Sequence, residues 1–385
     1  MHISIGKSMR THFQLNPEIT FLNFGSFGAT PKEITEDYRK WQDMLEFEPI
    51  QFTTVKGLDY LRLSREALSS FIGCDSKDIV FTTNPSYAIN IIAKSLRLER
   101  GDEILTTDLE YGAMDKTWNY YASKYGYTYK RQPIRLPLTS EEDFIEQFWK
   151  GLTPKTKAIF ISQITSSTAL IFPVEKICGR AKELGLITIV DGAHVPGHID
   201  LDLKKMQADV YTGACHKWMM TPKGCSFLYV KKEMQDLFDP LLISWGYGNP
   251  QVVLSQFLDY HQQQGTRDFS AFLTVPKAIE FMKNYHWKEV SAECRKLAQS
   301  NYHRFTELLG TVPLAPVNDT FIGQMCSIEI KTTEPEILKH RLYHEHKIEI
   351  PVMVHGDRVF IRYSINAFND QEDLDRLYYV LKMLK

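Results

Sequence analysis

Residues 187–230 read ITIVDGAHVPGHIDLDLKKMQADVYTGACHKWMMTPKGCSFLYV, and this region contains the strongest signals for strands in the chain. A β-branched run at 187–191 ends in Asp191, and a second run at 210–212 leads within a few residues to Lys217. A Pro-Lys-Gly turn then opens a third run at 226–230. Short apolar runs of this kind predict buried strands. Because ligands of open α/β sheets bind beyond the carboxyl ends of the strands, the polar residues at these ends are candidates for a site.

Outward from this stretch, short apolar runs alternate with helical patterns. The periodicity predicts strands at 79–83, 103–107 and 158–163, and helices at 86–97, 111–125 and 174–184. Thr139, followed three residues later by Glu142, predicts a capping box that opens a helix over 141–151. The alternation predicts an α/β protein with a large, mostly parallel sheet that is covered on both faces.

After residue 275 the pattern changes to that of a smaller α+β unit. The sequence predicts a long helical stretch over 275–309 with a break near Tyr285, strands at 324–330, 348–352 and 359–364, and helices at 334–346 and 370–384. We therefore expect a large domain at 31–275 and a small carboxy-terminal domain at 276–385.

Composition excludes several classes of function. Lys and Arg total 45 against 47 Asp and Glu, which leaves no basic field for nucleic acid and no polybasic patch for membranes. With 43% hydrophobic residues the chain can bury a large core, yet no run reaches the ~18 apolar residues of a membrane span. The amino terminus does not resemble a secretory signal, and the six cysteines include no CxxC pair. We expect reduced thiols and a cytoplasmic location.

The pair Asp191 and Lys217 suggests a particular chemistry. A lysine can form a Schiff base with the aldehyde of pyridoxal phosphate, while an acid keeps the pyridine nitrogen protonated so that the ring accepts electrons. Either residue alone is typical of a solvated lysine or a helix-capping aspartate. Together, each after a predicted buried strand, they favour a pyridoxal phosphate site.

Six motifs extend this interpretation over nearly the whole chain. They are FLNFGSFGATP (21–31), DLEYGAMDKTW (108–118), VDGAHVPGHIDLDL (190–203), TGACHKW (212–218), QGTRD (264–268) and RYSINAFN (362–369). Together they resemble the class V aminotransferase family of fold-type I pyridoxal phosphate enzymes. Within it, the sequence is most similar to the branch of isopenicillin N epimerase and its C–S lyase relatives. The resemblance implies the aspartate aminotransferase-like fold of PLP-dependent transferases.

The resemblance implies roles around the cofactor ring. Lys217 would bind the aldehyde and act as the base at the substrate Cα, and Asp191 would pair with the pyridine nitrogen. His194 and Ser166 would lie near the phenolic oxygen of the ring. Tyr111 matches an aromatic residue stacked on the cofactor, although a plain core aromatic is the alternative.

A second group of residues would hold the cofactor phosphate. Ser86 and Tyr87 begin a predicted helix, where N–H groups are available to an anion. Pro85 departs from the family pattern because it has no N–H to donate. His216, and Thr266 reaching across from a second subunit, would compensate, so the resemblance implies a homodimer as the active unit.

The substrate side of the site is expected at both ends of the chain. Arg362 has the planar fork that binds an α-carboxylate bidentately, although a structural salt bridge is the alternative. Asn23 and Ser26 lie in the segment 1–30, which the resemblance implies closes over the substrate.

The function expected is that of a pyridoxal phosphate enzyme acting at Cα or Cβ of an amino acid, similar to isopenicillin N epimerase. A C–S β-lyase acting on a cysteine conjugate and an aminotransferase are the alternatives within this class. A desulfurase is disfavoured because no cysteine lies in 349–358, where such enzymes carry their nucleophile. From other classes, a non-catalytic ligand-binding relative and a metal-dependent hydrolase stay open. The hydrolase would use Asp191, His194, His198 and His216, yet the residues VPG interrupt the His194–His198 spacing. We therefore expect no metal site.

Overall fold

The structure is a computed structural model that describes residues 5–248 and 254–385. Its strands, in chain order, are β1 (Thr20–Phe21), β2 (Ile79–Thr82), β3 (Glu103–Thr107), β4 (Thr128–Gln132), β5 (Thr156–Ser162), β6 (Ile187–Asp191), β7 (Val210–Ala214), β8 (Ser226–Val230), β9 (Met325–Glu329), β10 (Ile348–Glu349), β11 (Val352–His355) and β12 (Arg358–Ser364). A sheet of seven strands has the order β2-β8-β7-β6-β5-β3-β4. Strand β8 runs opposite to the other six strands of this sheet, which all point the same way, so the mostly parallel sheet predicted from the sequence is confirmed.

Helices cover both faces of this sheet and build the rest of the molecule. They are α1 (Lys7–Arg10), α2 (Phe24–Phe27), α3 (Lys32–Phe47), α4 (Gly57–Ile72), α5 (Pro85–Ser95), α6 (Gly112–Tyr125), α7 (Glu141–Trp149), α8 (Val174–Glu183), α9 (Leu203–Met206), α10 (Gln256–Gln262), α11 (Ser270–Leu273), α12 (Val275–Asn284), α13 (Trp287–Leu309), α14 (Pro335–His344) and α15 (Gln371–Leu384). A π-helix at Gln51–Lys56 and a 3₁₀ helix at Lys232–Leu237 complete the set.

The register of the large sheet determines where polar side chains meet. Strands β3, β5, β6 and β7 are parallel, and Ser162 at the end of β5 pairs with Asp191 at the end of β6. Strand β2 points the same way because it is antiparallel to β8, which is antiparallel to β7. The loops that follow these five strands therefore leave the same edge of the sheet.

A second, antiparallel sheet in the order β11-β12-β9 lies in the carboxy-terminal part. The amino-terminal segment joins this part, because β1 pairs in parallel with β10 and Asn23 forms a bridge with Ser364. Residues 20–28 therefore run between the end of β12 and the edge of the large sheet.

The sequence-based elements differ from the observed ones in a few places. Strand β4 was not predicted; its outward positions are polar and only Tyr129 is buried. Helix α7 is capped by Ser140, whose hydroxyl accepts the N–H of Asp143, one residue later than the predicted box. The predicted strand at 348–352 is interrupted at Pro351, which has no N–H to give a sheet. No helix in the described ranges is both long and apolar enough to cross a bilayer.

Candidate active site

A cavity of about 240 Å³ lies at the edge of the sheet where the five parallel strands end. Its wall consists of Ser26, Phe27, Asn84, Pro85, Ser86, Tyr111, Met114, Ser162, Ile164, Ser166, Asp191, Ala193, His194, His216 and Lys217. Three larger clefts, of about 780, 640 and 280 Å³, contain none of the residues predicted for a pyridoxal phosphate site in their walls. The smaller cavity is therefore where the predicted chemistry converges.

Lys217 and Asp191 both line this cavity, as their positions at neighbouring strand ends predict. Burial lowers the pKa of Lys217 to about 8; the charge of Asp191 opposes this shift and that of Arg362 adds to it. Asp191 accepts the N–H of Ala193 at 2.9 Å, and burial raises the pKa of its carboxyl group. A lysine whose amine is partly neutral near pH 8 is a competent nucleophile toward a carbonyl.

His194 lies in the loop after β6 and contacts Lys217 and Trp218. Its Nε2 atom lies 3.3 Å from Lys217 Nζ, and its Nδ1 atom lies 3.5 Å from the indole nitrogen of Trp218. Burial, together with the nearby cation of Lys217, lowers the pKa of His194 well below its ordinary value. The ring is therefore neutral when the lysine titrates.

A buried carboxyl group that the sequence reasoning did not identify lies behind the cavity. Glu110 is 1% exposed and accepts hydrogen bonds from the Thr107 hydroxyl at 2.8 Å and from the N–H and hydroxyl of Ser162. Burial, with a smaller effect of the nearby charge of Asp191, raises its pKa to about 8, although the hydrogen bonds from Ser162 and Thr107 oppose this shift. Its position directly before Tyr111 in the motif at 108–118 is the sequence signal that could have identified it.

The start of helix α5 forms one end of the cavity. Asn84 is the N-cap, and its side chain accepts the Tyr87 N–H at 2.8 Å, so this N–H already has a partner. Ser86 lines the cavity, whereas the Tyr87 hydroxyl donates to Gln264 Oε1 at 3.1 Å. Asn84 thus lines the cavity, although the sequence reasoning gave it no role.

His216 lies on the loop that carries Lys217. Its Nδ1 atom is 2.8 Å from the carbonyl oxygen of Cys225, so this nitrogen carries the proton and Nε2 has a lone pair. Burial lowers the pKa of His216 to about 4. A bound anion would favour protonation at Nε2, because an opposite charge nearby stabilises the charged form.

Arg362 is 1% exposed, and its amino groups donate to the carbonyl oxygen and hydroxyl of Ser166 and to the hydroxyl of Ser26. No carboxylate pairs with it in the described residues, and its Nε–H has no partner there. Burial lowers its pKa to about 10. Ser166, predicted to lie near the phenolic oxygen of the cofactor, lines the cavity and also accepts hydrogen bonds from this guanidinium. A buried guanidinium without a described anion is chemically suited to pair with a carboxylate.

The amino-terminal segment contacts both sides of the cavity. The Ser26 hydroxyl donates to Asn23 Oδ1, and Lys223 Nζ donates to the carbonyl oxygen of Gly28 at 3.2 Å. Gly28 has a φ of +65°, and a Cβ there would lie 2.4 Å from the carbonyl oxygen of His216. Only glycine can bring the segment this close to the lysine loop.

Two predicted residues differ in how they relate to the cavity. Tyr111 is the N-cap of α6 and lines the cavity, with 47% of its surface exposed. Thr266 is exposed and does not line the cavity of its own chain. Its placement is compatible with a contribution to another site.

The residues present fit pyridoxal phosphate. A partly neutral amine can take the aldehyde, and a buried carboxyl group can hold the protonated ring nitrogen. A hydroxyl at a helix amino terminus suits the phosphate, and the unpaired guanidinium suits the carboxylate of an amino acid.

Comparisons with known proteins agree with this fit. The aminotransferase class-V family profile matches residues 55–377. Isopenicillin N epimerase from Amycolatopsis lactamdurans is 31% identical over 97% of both chains. Hercynylcysteine sulfoxide lyase from Schizosaccharomyces pombe is 24% identical over 99% of this chain and 97% of its own. A solved structure of a C-DES variant, with glycine covalently linked to its PLP cofactor, has a TM-score of 0.82 at 20% identity and covers 97% of this chain and 98% of its own.

The chain belongs to the aminotransferase class-V family. The predicted family, the fold-type I architecture and the dependence on pyridoxal 5′-phosphate are thereby confirmed. The reaction catalysed and the roles of individual residues are proposals.

Proposed function

We propose that this protein is a pyridoxal phosphate enzyme that removes and returns a proton at the Cα atom of an amino acid, as an epimerase similar to isopenicillin N epimerase. The observation that carries the proposal is a cavity with Lys217 and Asp191 in its wall, beside a buried Arg362 that has no described carboxylate partner. The 31% identity to isopenicillin N epimerase along nearly the whole chain supports this choice of reaction.

The site residues act on different parts of the cofactor and the substrate. When bound, pyridoxal phosphate supplies an electron-accepting ring that acidifies the Cα proton of an amino acid. Asp191 holds a proton at the ring nitrogen, and Lys217 Nζ takes the Cα proton. Arg362 binds the α-carboxylate and so orients Cα toward the lysine, with Ser26 and Asn23 fixing one side of the guanidinium.

The remaining cavity residues are assigned to binding. Tyr111 would stack on the ring of the cofactor, and His194 would donate its Nε2–H to the phenolic oxygen. Ser86, His216 and the Ser86 N–H hold the phosphate. The Tyr87 N–H is bonded to Asn84 and is therefore not free to bind the phosphate. Tyr87 supports this end of the cavity through its hydroxyl group, which donates to Gln264.

A C–S β-lyase is the second candidate, since hercynylcysteine sulfoxide lyase is similar over nearly the full length. A persulfide-forming desulfurase is disfavoured by the carboxy-terminal sheet. In the interval where such enzymes carry a cysteine, β11 and β12 form a tight hairpin through Gly356 and Asp357. The cysteine next to Lys217, Cys215, is fully buried and burial raises its pKa, so it is a poor nucleophile.

A metal-dependent hydrolase has less support. Both ring nitrogens of His198 are engaged, one with the carbonyl oxygen of His194 at 2.9 Å and the other with the N–H of Gln324 at 2.6 Å. Among the described residues, no cluster of His, Cys, Asp and Glu is arranged to hold a metal ion.

The decisive experiment is incubation of the purified enzyme with candidate amino acids in deuterated water. We expect deuterium at Cα together with loss of chirality. Release of pyruvate would assign the lyase reaction instead, and exchange of the amino group with a keto acid would assign an aminotransferase. The Lys217→Ala variant is the control, because it should abolish all three.

Assembly, domain boundaries and location complete the proposal. We place the segment 1–30 on the substrate side, the cofactor domain at 31–275 and the small domain at 276–385. A homodimer in which Thr266 reaches the neighbouring phosphate is supported by its exposure in the single chain. A cytoplasmic location is supported by six cysteines that form no disulfide.

A further inference from the structure

Behind Lys217 lies a buried group of three rings, of which only His194 has a role so far. Trp218 is 1% exposed, and its indole stacks on His198 with the ring centres 4.0 Å apart. The indole nitrogen of Trp218 lies 3.5 Å from His194 Nδ1, while His194 Nε2 lies 3.3 Å from Lys217 Nζ. The rings therefore form a chain of contacts that ends at the lysine.

The first contact fixes the position of a proton. An indole N–H can only donate, so His194 Nδ1 must be the acceptor. Because His194 is buried and neutral, its single ring proton is then on Nε2. Without the indole N–H, either nitrogen could carry this proton.

The second contact couples the tautomer of His194 to the protonation state of Lys217. An ammonium group has three donors and no acceptor, so a histidine N–H that faces it is unfavourable. A neutral amine has a lone pair that can accept the same N–H. The Nε2–H tautomer of His194 thus favours the neutral form of Lys217.

We propose that Trp218 is a positioning residue that sets the tautomer of His194 and thereby holds Lys217 as the neutral amine that captures a carbonyl ligand. The identity of that ligand as pyridoxal phosphate rests on the proposed function. The proton arrangement itself belongs to the cofactor-free chain.

The other titratable groups around this site are Asp191, Arg362, His198 and His216. Asp191 favours the ammonium form of Lys217, and Arg362 opposes it. Burial lowers the pKa of His198 to about 3 and that of His216 to about 4, so both are neutral when Lys217 titrates. His198 has the opposite tautomer from His194, with the proton on Nδ1, because Nε2 accepts the Gln324 N–H.

Trp218→Phe deletes the N–H and keeps an aromatic ring in the stack. Trp118→Phe is the matched control, because Trp118 is equally buried and its indole N–H has no partner in the described ranges. In the full-length chain freed of cofactor, acetylation of Lys217 by pulses of acetic anhydride is followed by peptide mass spectrometry from about pH 6 to about pH 10.

We expect a midpoint near pH 8 for the natural chain and for Trp118→Phe. For Trp218→Phe the midpoint should rise by about one pH unit, which makes Lys217 about tenfold less reactive below the midpoint. An unchanged midpoint in Trp218→Phe would overturn the proposal, since a merely structural role lowers reactivity without moving the titration.

A second measurement does not depend on the folding of any variant. In the natural chain, ¹⁵N NMR should find His194 protonated at Nε2 and His198 protonated at Nδ1. A His194 protonated at Nδ1 would contradict the proposal. Failure of the chain to bind pyridoxal phosphate would count against the proposed function alone, because both measurements use cofactor-free protein.

Discussion

The guanidinium of Arg362 illustrates how one residue links sequence, packing and chemistry. Its place in the motif at 362–369 predicted a carboxylate-binding role, and folding buries it beside Ser26 and Ser166 with no described acid partner. Burial of an unpaired cation costs free energy, which a bound carboxylate would recover. Such a residue is expected to act on substrate affinity rather than on stability alone.

Arg362→Lys keeps the charge and removes the planar fork. We expect KM for the amino-acid substrate to rise about 10- to 100-fold, because charge-assisted hydrogen bonds contribute ~1.5–3 kcal/mol. Affinity for the cofactor should change little. Arg358→Lys is the control, since Arg358 lies in the same strand and is paired with Glu329 at 2.7 Å. Equal changes of KM in the two variants would contradict the assignment.

Glu110 gives a prediction about stability and pH. Burial raises its pKa to about 8, so the folded chain binds a proton that the unfolded chain releases above its ordinary value. This contribution to stability is complete at low pH and is lost as the pH rises toward about 8. Residue 110 cannot titrate in Glu110→Gln. The melting temperature of this variant should therefore fall less between about pH 5 and about pH 8.5 than that of the natural chain. For the exposed control Glu142→Gln, we expect the melting temperature to vary with pH in parallel with that of the natural chain. The same parallel behaviour in Glu110→Gln would refute the role assigned to Glu110.

At the scale of elements, strands buried on both faces could be predicted from sequence and edge elements could not. Strands β3, β6 and β8 match their predicted bounds because each is a continuous apolar or β-branched run. Strand β4 has mostly exposed polar residues, so its pattern resembles a loop. The site residues on strand ends were predictable for the same reason, whereas Glu110 and Trp218 depend on contacts between loops that are distant in sequence.

The segment around α2 provides a test at this scale. In Gly28→Ala the new Cβ would lie 2.4 Å from the His216 carbonyl oxygen and 2.6 Å from that of Lys217. Gly310→Ala is the control, because its φ is +67° and nothing lies within 4 Å of its added Cβ. We expect about 1 kcal/mol of lost unfolding free energy for Gly310→Ala, from backbone strain alone. Gly28→Ala should lose clearly more and should also weaken cofactor binding; equal losses in denaturant titrations would contradict the contact.

At the scale of the whole molecule, exposed residues point to a second subunit. Trp245 is 86% exposed and Phe47 is 85% exposed, which is unusual for large apolar side chains. Thr266 is exposed as well and lies apart from its own cavity. These features support the proposed homodimer, in which a second subunit would cover the exposed side chains.

Subunit mixing tests the shared site. Lys217→Ala and Thr266→Ala should each bind cofactor poorly as homodimers. If Thr266 acts across the interface, a mixed dimer has one site with both an intact Lys217 and an intact partner threonine. We expect the mixture to regain tight cofactor binding at a fraction of sites, measured by equilibrium dialysis. Absence of any recovery, with mixed dimers confirmed by mass spectrometry, would place Thr266 outside the neighbouring site.

The assignment of Lys217 as the residue that carries the coenzyme can be tested directly. The purified protein, loaded with pyridoxal phosphate, is reduced with borohydride, digested and sequenced by tandem mass spectrometry. We expect the phosphopyridoxyl group on Lys217 and not on Lys223, the nearby lysine of the same loop. Labelling at Lys223 or at another lysine, or undiminished labelling of Lys217→Ala, would contradict the assignment of Lys217 as the residue that binds the coenzyme.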